Sequence, residues 1–267
     1  MMEGALVLWF SLTLLSLIYL TYDLIFVTPA MGVMKVGWWL VILYTGPIGL
    51  FFYLLSCKEP MPGTHDAFIA PLWKQSLGSM VHCLAGDVTG IIVAAFILTF
   101  FKVSPVVEIT IEYLAGFGFG LFIFQSLFMK DMMGGTYLKA LRKSFYPEWL
   151  SMNMIMAGMI PTMVAWTTFN PGARNPEKLQ FWGMMSLACI IGGLTAFSIN
   201  RWLVKNKLKH GMMTARSHAA HMAPMASMGK KKMAPKVTAA QLYTKLCLTL
   251  LGLLVGIIIA VLWRNFL

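Results

Sequence analysis

The sequence is poor in charged residues. Asp, Glu, Lys and Arg make up 12% of its 267 residues, about half of the roughly 25% found in soluble domains. Hydrophobic residues reach 58%, and the mean hydropathy is +0.74. A soluble protein of this size cannot bury so much apolar surface in one core. The composition therefore excludes a soluble enzyme, a disordered chain and a coiled coil, and it predicts a polytopic membrane protein.

Cysteine is also scarce and forms no recognisable pattern. The four cysteines include no CxxC pair and are scattered at Cys57, Cys83, Cys189 and Cys247. The last three lie inside apolar runs, so a disulfide scaffold of the secreted type is not expected. The sequence has no catalytic motif of known mechanism either, which makes an enzyme less favoured than a binding, transport or structural protein.

Seven apolar stretches are long enough to cross about 30 Å of hydrocarbon at 1.5 Å per residue. They occupy residues 4–27, 33–56, 76–101, 107–129, 149–169, 180–204 and 242–263. The first lacks the flanking charge and the A-x-A-like site of a cleaved signal peptide, so it is interpreted as a span. The predicted fold is an all-α transmembrane helix bundle with a six-span core (1–209), a Met/His/Lys-rich linker (210–241) and one appended C-terminal helix (242–267).

The basic residues predict the orientation. Sixteen of the 21 Lys and Arg residues lie in or beside the loops after spans two, four and six. The positive-inside rule places these loops and the amino terminus in the cytoplasm, and the carboxyl terminus outside the inner (cytoplasmic) membrane. The net charge of +11 is then mostly a topology signal. It favours contact with anionic lipid headgroups and no nucleic-acid partner. The sequence leaves open whether the chain forms a homo-oligomer.

The third span has the densest set of polar side chains, namely Ser79, His82, Cys83, Asp87 and Thr89. Cys83 and Asp87 are four residues apart and share one helix face. Imidazole, thiol and carboxylate groups this close predict either a transition-metal site or a proton relay. The alternative is that His82 and Asp87 form hydrogen bonds that hold helices together. One helix supplies too few ligands, so a metal site needs residues from other spans.

Carboxylates occur in two other spans. Glu108 and Glu112 are four residues apart in the fourth span, where two glycines continue their face, and Asp23 lies near the end of the first span. The predicted topology places Glu112 and Asp23 in the outer half of the bilayer and Asp87 near its middle. The three would then line one acidic route from the outer face. Glu108 is expected only to contact headgroups, and the same role is the alternative for Asp23.

Methionine is over-represented, with 22 occurrences. A stripe of four methionines at helical spacing in the fifth span is typical of packing. In the linker, His218 and His221 are followed by methionines at three-residue spacing, Met222, Met225 and Met228. Imidazole and thioether groups suit Cu(I), so this segment predicts copper capture and release. The alternative is a basic disordered linker with incidental methionines.

Five segments cover most of residues 30–213, and they read KVGWWLVILYTGPIGL, PLWKQSLGSMVHCLAGDVTG, EYLAGFGFGLFIFQSLFMKDMMGG, SFYPEWLSMNMIMAGMIPTM and FWGMMSLACIIGGLTAFSINRWLVKNKLKHGM. With the motif formed by His82, Cys83, Gly86 and Asp87, they resemble an uncharacterised multi-pass prokaryotic membrane family, domain of unknown function forty-three ninety-six. The resemblance implies a multi-pass helical fold without a settled activity. Some members have a second cysteine where this chain has Asp87, which implies a different ligand set here.

The leading functional prediction is a membrane protein that transports or handles a soft transition-metal ion, with copper favoured. The predicted metal ligands are His82, Cys83 and Asp87 in the bundle, Glu112 and Asp23 on the outer route, and His218, His221, Met222, Met225 and Met228 in the linker. The alternative is a structural or assembly membrane protein whose polar side chains hold helices together. A haem enzyme is disfavoured because His82 is the only histidine inside a predicted span, so two axial histidines are not available within one chain.

Overall fold

A computed structural model describes residues 2–126, 136–212 and 237–266. These residues contain helices and no β-strand, so the predicted all-α fold is confirmed. The helices are α1 (Met2–Phe26), α2 (Gly32–Ser56), α3 (His65–Ile69), α4 (Leu72–Cys83), α5 (Thr89–Leu98), α6 (Pro105–Gly118), α7 (Tyr137–Phe169), α8 (Leu179–Lys205) and α9 (Ala239–Phe266). Two π-helices adjoin these α-helices: π1 (Leu84–Val88) joins α4 to α5, and π2 (Phe119–Gln125) extends α6. A short 3₁₀ helix, Pro171–Arg174, follows α7.

Among the described residues, six helical segments are long and apolar enough to cross a membrane: Met2–Phe26, Gly32–Ser56, Leu72–Leu98, Pro105–Gln125, Leu179–Lys205 and Ala239–Asn265. The predicted span 149–169 forms the second half of α7. It is helical, but α7 is not among the six segments that are apolar enough to cross a membrane. α7 packs lengthwise between α8 and α9, where a Cβ on Gly192 would touch Met159 and a Cβ on Gly256 would touch Ala157. Because protein surrounds it, α7 tolerates buried polar side chains such as Asn153, which lower its hydropathy.

The helix α2 is folded back on itself. At Gly46 the backbone has φ 57° and ψ −138°, which are not helical values. A Cβ on Gly49 would lie 3.2 Å from the Cα of Ile42, whereas seven residues of straight helix rise about 10 Å. The rings of Trp38 and Tyr53, on opposite sides of the bend, have centroids 5.3 Å apart. The two halves of α2 therefore lie side by side as a hairpin.

Both ends of the α2 hairpin lie at the carboxyl end of α1. Near the start of the hairpin, Lys35 Nζ donates to the carbonyl of Leu24 at 2.5 Å. Near its end, the hydroxyl of Tyr53 donates to Asp23. The tip lies beside Thr13, in the middle of α1. The segment predicted as the second span is thus apolar and long enough to cross, but it enters the bundle to about half its depth and returns to the same end.

The Gly46–Pro47 pair accounts for this bend. Glycine adopts a positive φ without a steric penalty, and proline, which has no N–H to leave unsatisfied, is favoured at the start of the second half. Non-helical backbone at membrane depth is tolerated where protein surrounds it. The hairpin meets that condition because it packs against α1, α4 and α8.

Six passes remain: α1, α4–π1–α5, α6–π2, α7, α8 and α9. α1 and α8 run in the same direction, since a Cβ on Gly183 would touch Leu6 and Trp9 Nε1 donates to Ser186 Oγ at 3.0 Å. The carboxyl ends of α1, π2 and α8 lie at one end of the bundle, and α4, α7 and α9 begin there. We call this the basic end, because the flanks of these helices are rich in Lys and Arg. The terminal end is the opposite one, at which α1 begins and α9 finishes.

The hairpin changes the predicted topology. Met2 and Phe266 lie at the same end of the bundle, whereas the sequence predicted termini on opposite sides of the membrane. Lys35 lies at the basic end, not opposite it as predicted, because α2 turns back. Of the fifteen described Lys and Arg residues, eleven are at the basic end and four are at the terminal end, namely Lys102, Arg174, Lys178 and Arg264.

Glycines bring two of the passes into close contact. A Cβ on Gly86 would lie 2.7 Å from the Cα of Gly120. One turn further, a Cβ on Gly90 would lie 2.8 Å from the Cα of Gly116. Only residues without side chains allow backbones this close. Gly86 belongs to π1 and Gly120 to π2, so the two π-helices lie against each other in the interior.

The methionine stripe of α7 has the packing role that the sequence favoured. Met152, Met156 and Met159 are almost completely buried in the main hydrophobic core. A Cβ on Gly116 would lie 2.8 Å from the Met152 methyl group. Their flexible thioether side chains therefore fill the space that glycines on the neighbouring helices leave.

The bend at Gly46 supplies a test of the hairpin. Gly46→Ala should lower the stability by about 1–3 kcal/mol, because an alanine is strained at this φ and ψ. Its Cβ would also lie 3.1 Å from the Trp9 ring. Unfolding of the purified protein in detergent measures the loss. Gly32→Ala is the control, since a Cβ at Gly32 meets nothing within 4 Å; equal behaviour of the two variants would contradict the fold-back.

Candidate functional site

A group of polar side chains lies in the bundle interior, toward the basic end. We call it the Lys209 cluster, and its members are Cys83, Asp87, Glu148, Ser151, Asn200 and Lys209. The exposed fraction of each of these residues is 5% or less. They come from four parts of the fold: the α4–π1 junction, α7, α8 and the segment after α8.

Cys83, the last residue of α4, lies at the centre of the cluster. Its Sγ is 2.5 Å from Lys209 Nζ, 3.5 Å from Glu148 Oε2 and 3.7 Å from Asn200 Oδ1. Gln125, the last residue of π2, donates to the same sulfur from Nε2 at 3.7 Å. The thiol therefore contacts groups from α7, α8, π2 and the segment after α8.

Lys209 is the one cation in the cluster. Its Nζ donates to Glu148 Oε2 at 2.8 Å and to Ser151 Oγ at 3.1 Å. The exposed side-chain fractions of the Lys209–Glu148 ion pair are 4% and 0%. Burial disfavours the ammonium form, but the neighbouring Cys83 and Glu148 outweigh this effect and raise the pKa of Lys209 above its usual value. The ion pair with Glu148 therefore favours the ammonium form of Lys209.

The turn after α8 directs Lys209 into the bundle. Lys207 has a positive φ of 57°. The amide of Leu208 donates to the carbonyl of Leu203 at 2.9 Å, and the amide of Lys207 donates to the carbonyl of Val204 at 3.0 Å. This pattern is a Schellman turn, which ends a helix and reverses the chain. Beyond Lys209, the segment continues along α4, where a Cβ on Gly78 would meet Met212.

Asp87 and Glu148 share one small space beside Gly120. A Cβ on Gly120 would overlap Asp87 Oδ1 and would lie 2.5 Å from Glu148 Oε1. Both carboxylate oxygens of Asp87, and Oε1 of Glu148, have no hydrogen-bond donor among the described residues. Asp87 lies in π1, near the middle of the pass Leu72–Leu98. The glycine in π2 thus makes room for two buried carboxyl groups to meet.

The charges determine what this arrangement can do. Two ionised carboxylates in one buried space repel each other, and a single ammonium group balances only one of them. If one carboxyl is protonated, its O–H can donate to the other and satisfy the otherwise unpartnered oxygens. The pair then behaves as one site with a shared proton. The chemistry available to the cluster is therefore reversible proton binding.

The structure brings together part of the predicted ligand set. Cys83 and Asp87 are both in the Lys209 cluster, and His82 is buried close enough to interact electrostatically with Lys209. Glu112 is buried further toward the terminal end, two helical turns from Gly120 along the same helix face. The predicted acidic route from Glu112 to Asp87 stays a prediction.

Asp23 does not belong to that route. It accepts hydrogen bonds from Tyr53 and from Thr28 Oγ1, the latter at 2.7 Å, and Lys58 Nζ lies 4.0 Å away. These contacts hold the base of the α2 hairpin at the basic end, not at the outer end of a shared path. The sequence misplaced Asp23 relative to Glu112 because it treated α2 as a crossing.

No group of three or more His, Cys, Asp or Glu side chains among the residues that the structure describes is arranged to hold a metal ion. His82, Cys83, Asp87, Glu112 and Asp23 are therefore not gathered into such a group, and their role as metal ligands stays a prediction. The ammonium group of Lys209 occupies the position beside Cys83, where it would repel a bound cation. The predicted linker ligands His218, His221, Met222, Met225 and Met228 lie outside the described residues.

Sequence reasoning missed Glu148 and Lys209. Glu148 lies just before the predicted span 149–169 and is assigned no role there, and Lys209 counts only among the sixteen basic residues that indicate the orientation. One signal was present for Glu148, since Ser151 follows it by three residues on the same helix face. No sequence signal distinguishes Lys209 from the other lysines near it, because its position depends on the turn at Lys207.

The buried ion pair makes a stability prediction. Lys209→Met should destabilise the protein by about 3–5 kcal/mol, because Glu148 loses its counter-charge in the interior and can avoid an unpaired buried charge only by taking up a proton. The double variant Lys209→Met with Glu148→Gln should recover most of this loss, because no unpaired charge remains. Unfolding in detergent measures both. Lys205→Met, at an exposed position on α8, should change stability by less than about 0.5 kcal/mol; a similar loss there would contradict the assignment.

Comparison with known proteins places this cluster within one family. Residues 72–209, just over half of the chain, match the family described as Domain of unknown function (DUF4396). The matched range includes all members of the Lys209 cluster, whereas α1, α2 and α9 lie outside it. Neither the search of curated proteins nor the search of solved structures gave a match. The chain is a multi-pass membrane protein that belongs to the DUF4396 family.

Proposed function

We propose that this protein is a proton-coupled membrane transporter in which Asp87 and Glu148 bind and release the coupling proton. The observation that carries the proposal is the meeting of these two buried carboxyl groups beside Gly120, with Lys209 as their single counter-charge. Ionisable groups inside membrane spans are expensive, and in pumps and transporters they serve as proton sites.

The backbone around the pair supports this role. Asp87 lies in π1, and Gly120, against which both carboxyl groups lie, is in π2. π-helices interrupt the regular hydrogen-bond ladder and are frequent at functional sites. A change in the charge of the carboxyl pair would therefore act on the two least regular segments of these passes. Conformational change coupled to proton binding needs such a deformable element.

The other candidates have less support. Copper handling needs a set of metal ligands, and no group of three or more His, Cys, Asp or Glu side chains in the described part of the chain is arranged to hold an ion. A structural role remains the alternative, because the Lys209–Glu148 ion pair also connects α7 to the segment after α8. The two roles differ in one measurable property: a structural contact keeps a fixed protonation state, whereas a coupling site exchanges its proton when the pH changes.

Infrared difference spectroscopy on the purified protein tests the shared proton. The wild-type protein should show the C=O stretching band of a protonated, buried carboxyl group, and this band should change when the pH is changed. In a Glu112→Gln background, which removes the other buried carboxyl group of α6, Asp87→Asn should remove the band, because the remaining Glu148 is ionised against Lys209. Lys209→Met should instead strengthen it, because both carboxyl groups would then bind protons.

The matched control is Glu108→Gln, which changes a less buried carboxyl at the terminal end of α6. It should leave the band unchanged. Proteoliposomes with an internal pH-sensitive dye complete the test, because Asp87→Asn should abolish protein-dependent proton movement and Glu108→Gln should not. A band that survives Asp87→Asn in the Glu112→Gln background, or one that does not respond to pH in the wild type, would refute the proposal.

We also propose that the basic end faces the cytoplasm and that the described chain ends at Met2 and Phe266 lie on the opposite side. The support is the charge count of eleven basic residues against four, which the positive-inside rule interprets as a cytoplasmic face. This orientation reverses the cytoplasmic amino terminus predicted from sequence. The reversal follows from the α2 hairpin, which leaves one crossing fewer before the first basic loop.

Single cysteine variants at exposed positions test this orientation. A membrane-impermeant maleimide added to intact cells should label Glu3→Cys and Glu177→Cys, which lie at the terminal end. It should label Lys139→Cys only after the cells are permeabilised. The unmodified protein gives the background from its own cysteines. Labelling of both Glu3→Cys and Lys139→Cys in intact cells would show that α2 crosses after all, and protection of Glu3→Cys would invert the orientation.

A further inference from the structure

An apolar groove lies between the α2 hairpin, α4 and α8. Its volume is about 300 Å³. The single hydroxyl among its described lining residues is that of Thr45, which is already used because it donates to the carbonyl of Val41 at 2.6 Å. Ile48 and Leu194, which also line the groove, are exposed. The groove is therefore open on the side of the bundle that faces lipid, and its lining is almost entirely apolar.

The mouth of the groove is at the basic end. Phe52 near the end of α2, Trp73 at the start of α4 and Phe197 in the second half of α8 line this part of it. Aromatic side chains are enriched at the level of lipid headgroups. The groove thus begins at headgroup level and continues inward along the hairpin toward mid-bundle.

Arg201 follows the groove on α8. It lies four residues after Phe197 and seven after Leu194, so it continues the stripe of side chains that lines the groove. Arg201 is exposed and forms no ion pair with any residue that the structure describes. Long side chains on a helix lean toward its amino-terminal end, and for Arg201 this is the direction of the groove mouth. Arginine is suited to phosphate because its planar fork donates two hydrogen bonds at once.

We propose that this groove binds one acyl chain of an anionic membrane phospholipid, with the lipid phosphate held by Arg201. A hydrocarbon chain matches an almost entirely apolar lining, and an anionic headgroup matches an arginine without an ion pair among the described residues at the basic end. A lipid in this position contacts the hairpin and α8 together. It therefore fixes the α2 hairpin, whose outer face forms one wall of the groove.

Thermal unfolding of the purified protein in detergent tests the site. Phosphatidylglycerol should raise the melting temperature by several degrees more than phosphatidylcholine with the same acyl chains. Arg201→Gln should remove this difference between the headgroups. Ile48→Trp should reduce the response to both lipids, because the larger side chain occupies the groove. Inorganic phosphate alone should have no effect, since most of the binding comes from the acyl chain.

Two variants serve as matched controls. Arg174→Gln removes an exposed arginine at the terminal end, and Ile18→Trp enlarges an exposed apolar side chain of α1 away from the groove. Both should respond to the two lipids as the wild type does. An unchanged headgroup preference in Arg201→Gln, or an equal effect of both lipids on the wild type, would overturn the proposal. Native mass spectrometry should show one phosphatidylglycerol retained by the wild type and lost in Ile48→Trp.

Discussion

The buried ion pair between Lys209 and Glu148 is the interaction on which the centre of the bundle depends. A charge removed from water costs several kcal/mol unless an opposite charge compensates it, so each partner requires the other. Lys209 comes from the segment after α8, and Glu148 comes from α7. Cys83 lies against both. The pair therefore fixes three parts of the chain relative to one another, and it leaves Asp87 as the carboxyl group that has no counter-charge of its own.

The α2 hairpin determines which loops lie at the same end of the bundle. Because Gly46 lets the chain return, the first basic loop lies at the same end as the carboxyl end of α1. All described loops rich in Lys and Arg then lie on one side, Lys35 included. A straight α2 would have moved Lys35 to the other side of the membrane. The fold-back thus makes the distribution of charge more consistent with the positive-inside rule than the sequence interpretation was.

The sequence predicted what depends on local pattern. Apolar length predicted the helices, and helical spacing predicted a packing role for the methionines of α7. It did not predict features that depend on how distant segments meet. Hydropathy cannot separate a crossing from a hairpin of the same length, because both bury apolar side chains. The counter-charge of the site could not be predicted either, since Lys209 reaches Cys83 only through the turn at Lys207.

The positions of π1 and α2 connect the carboxyl pair to the hairpin. Asp87 is in π1, and Thr89 is the first residue of α5. The hydroxyl of Thr89 donates to the carbonyl of Ala85. It therefore accepts the hydrogen bond from the hydroxyl of Tyr44, in the first half of the hairpin, at 2.7 Å. On the other side of π1, a Cβ on Gly37 would lie 3.3 Å from Val81. The first half of the hairpin therefore contacts the chain on both sides of the segment that carries Asp87. A protonation change that altered the geometry of π1 would be transmitted to the hairpin through these two contacts, because packed interiors shift between discrete arrangements and do not deform continuously.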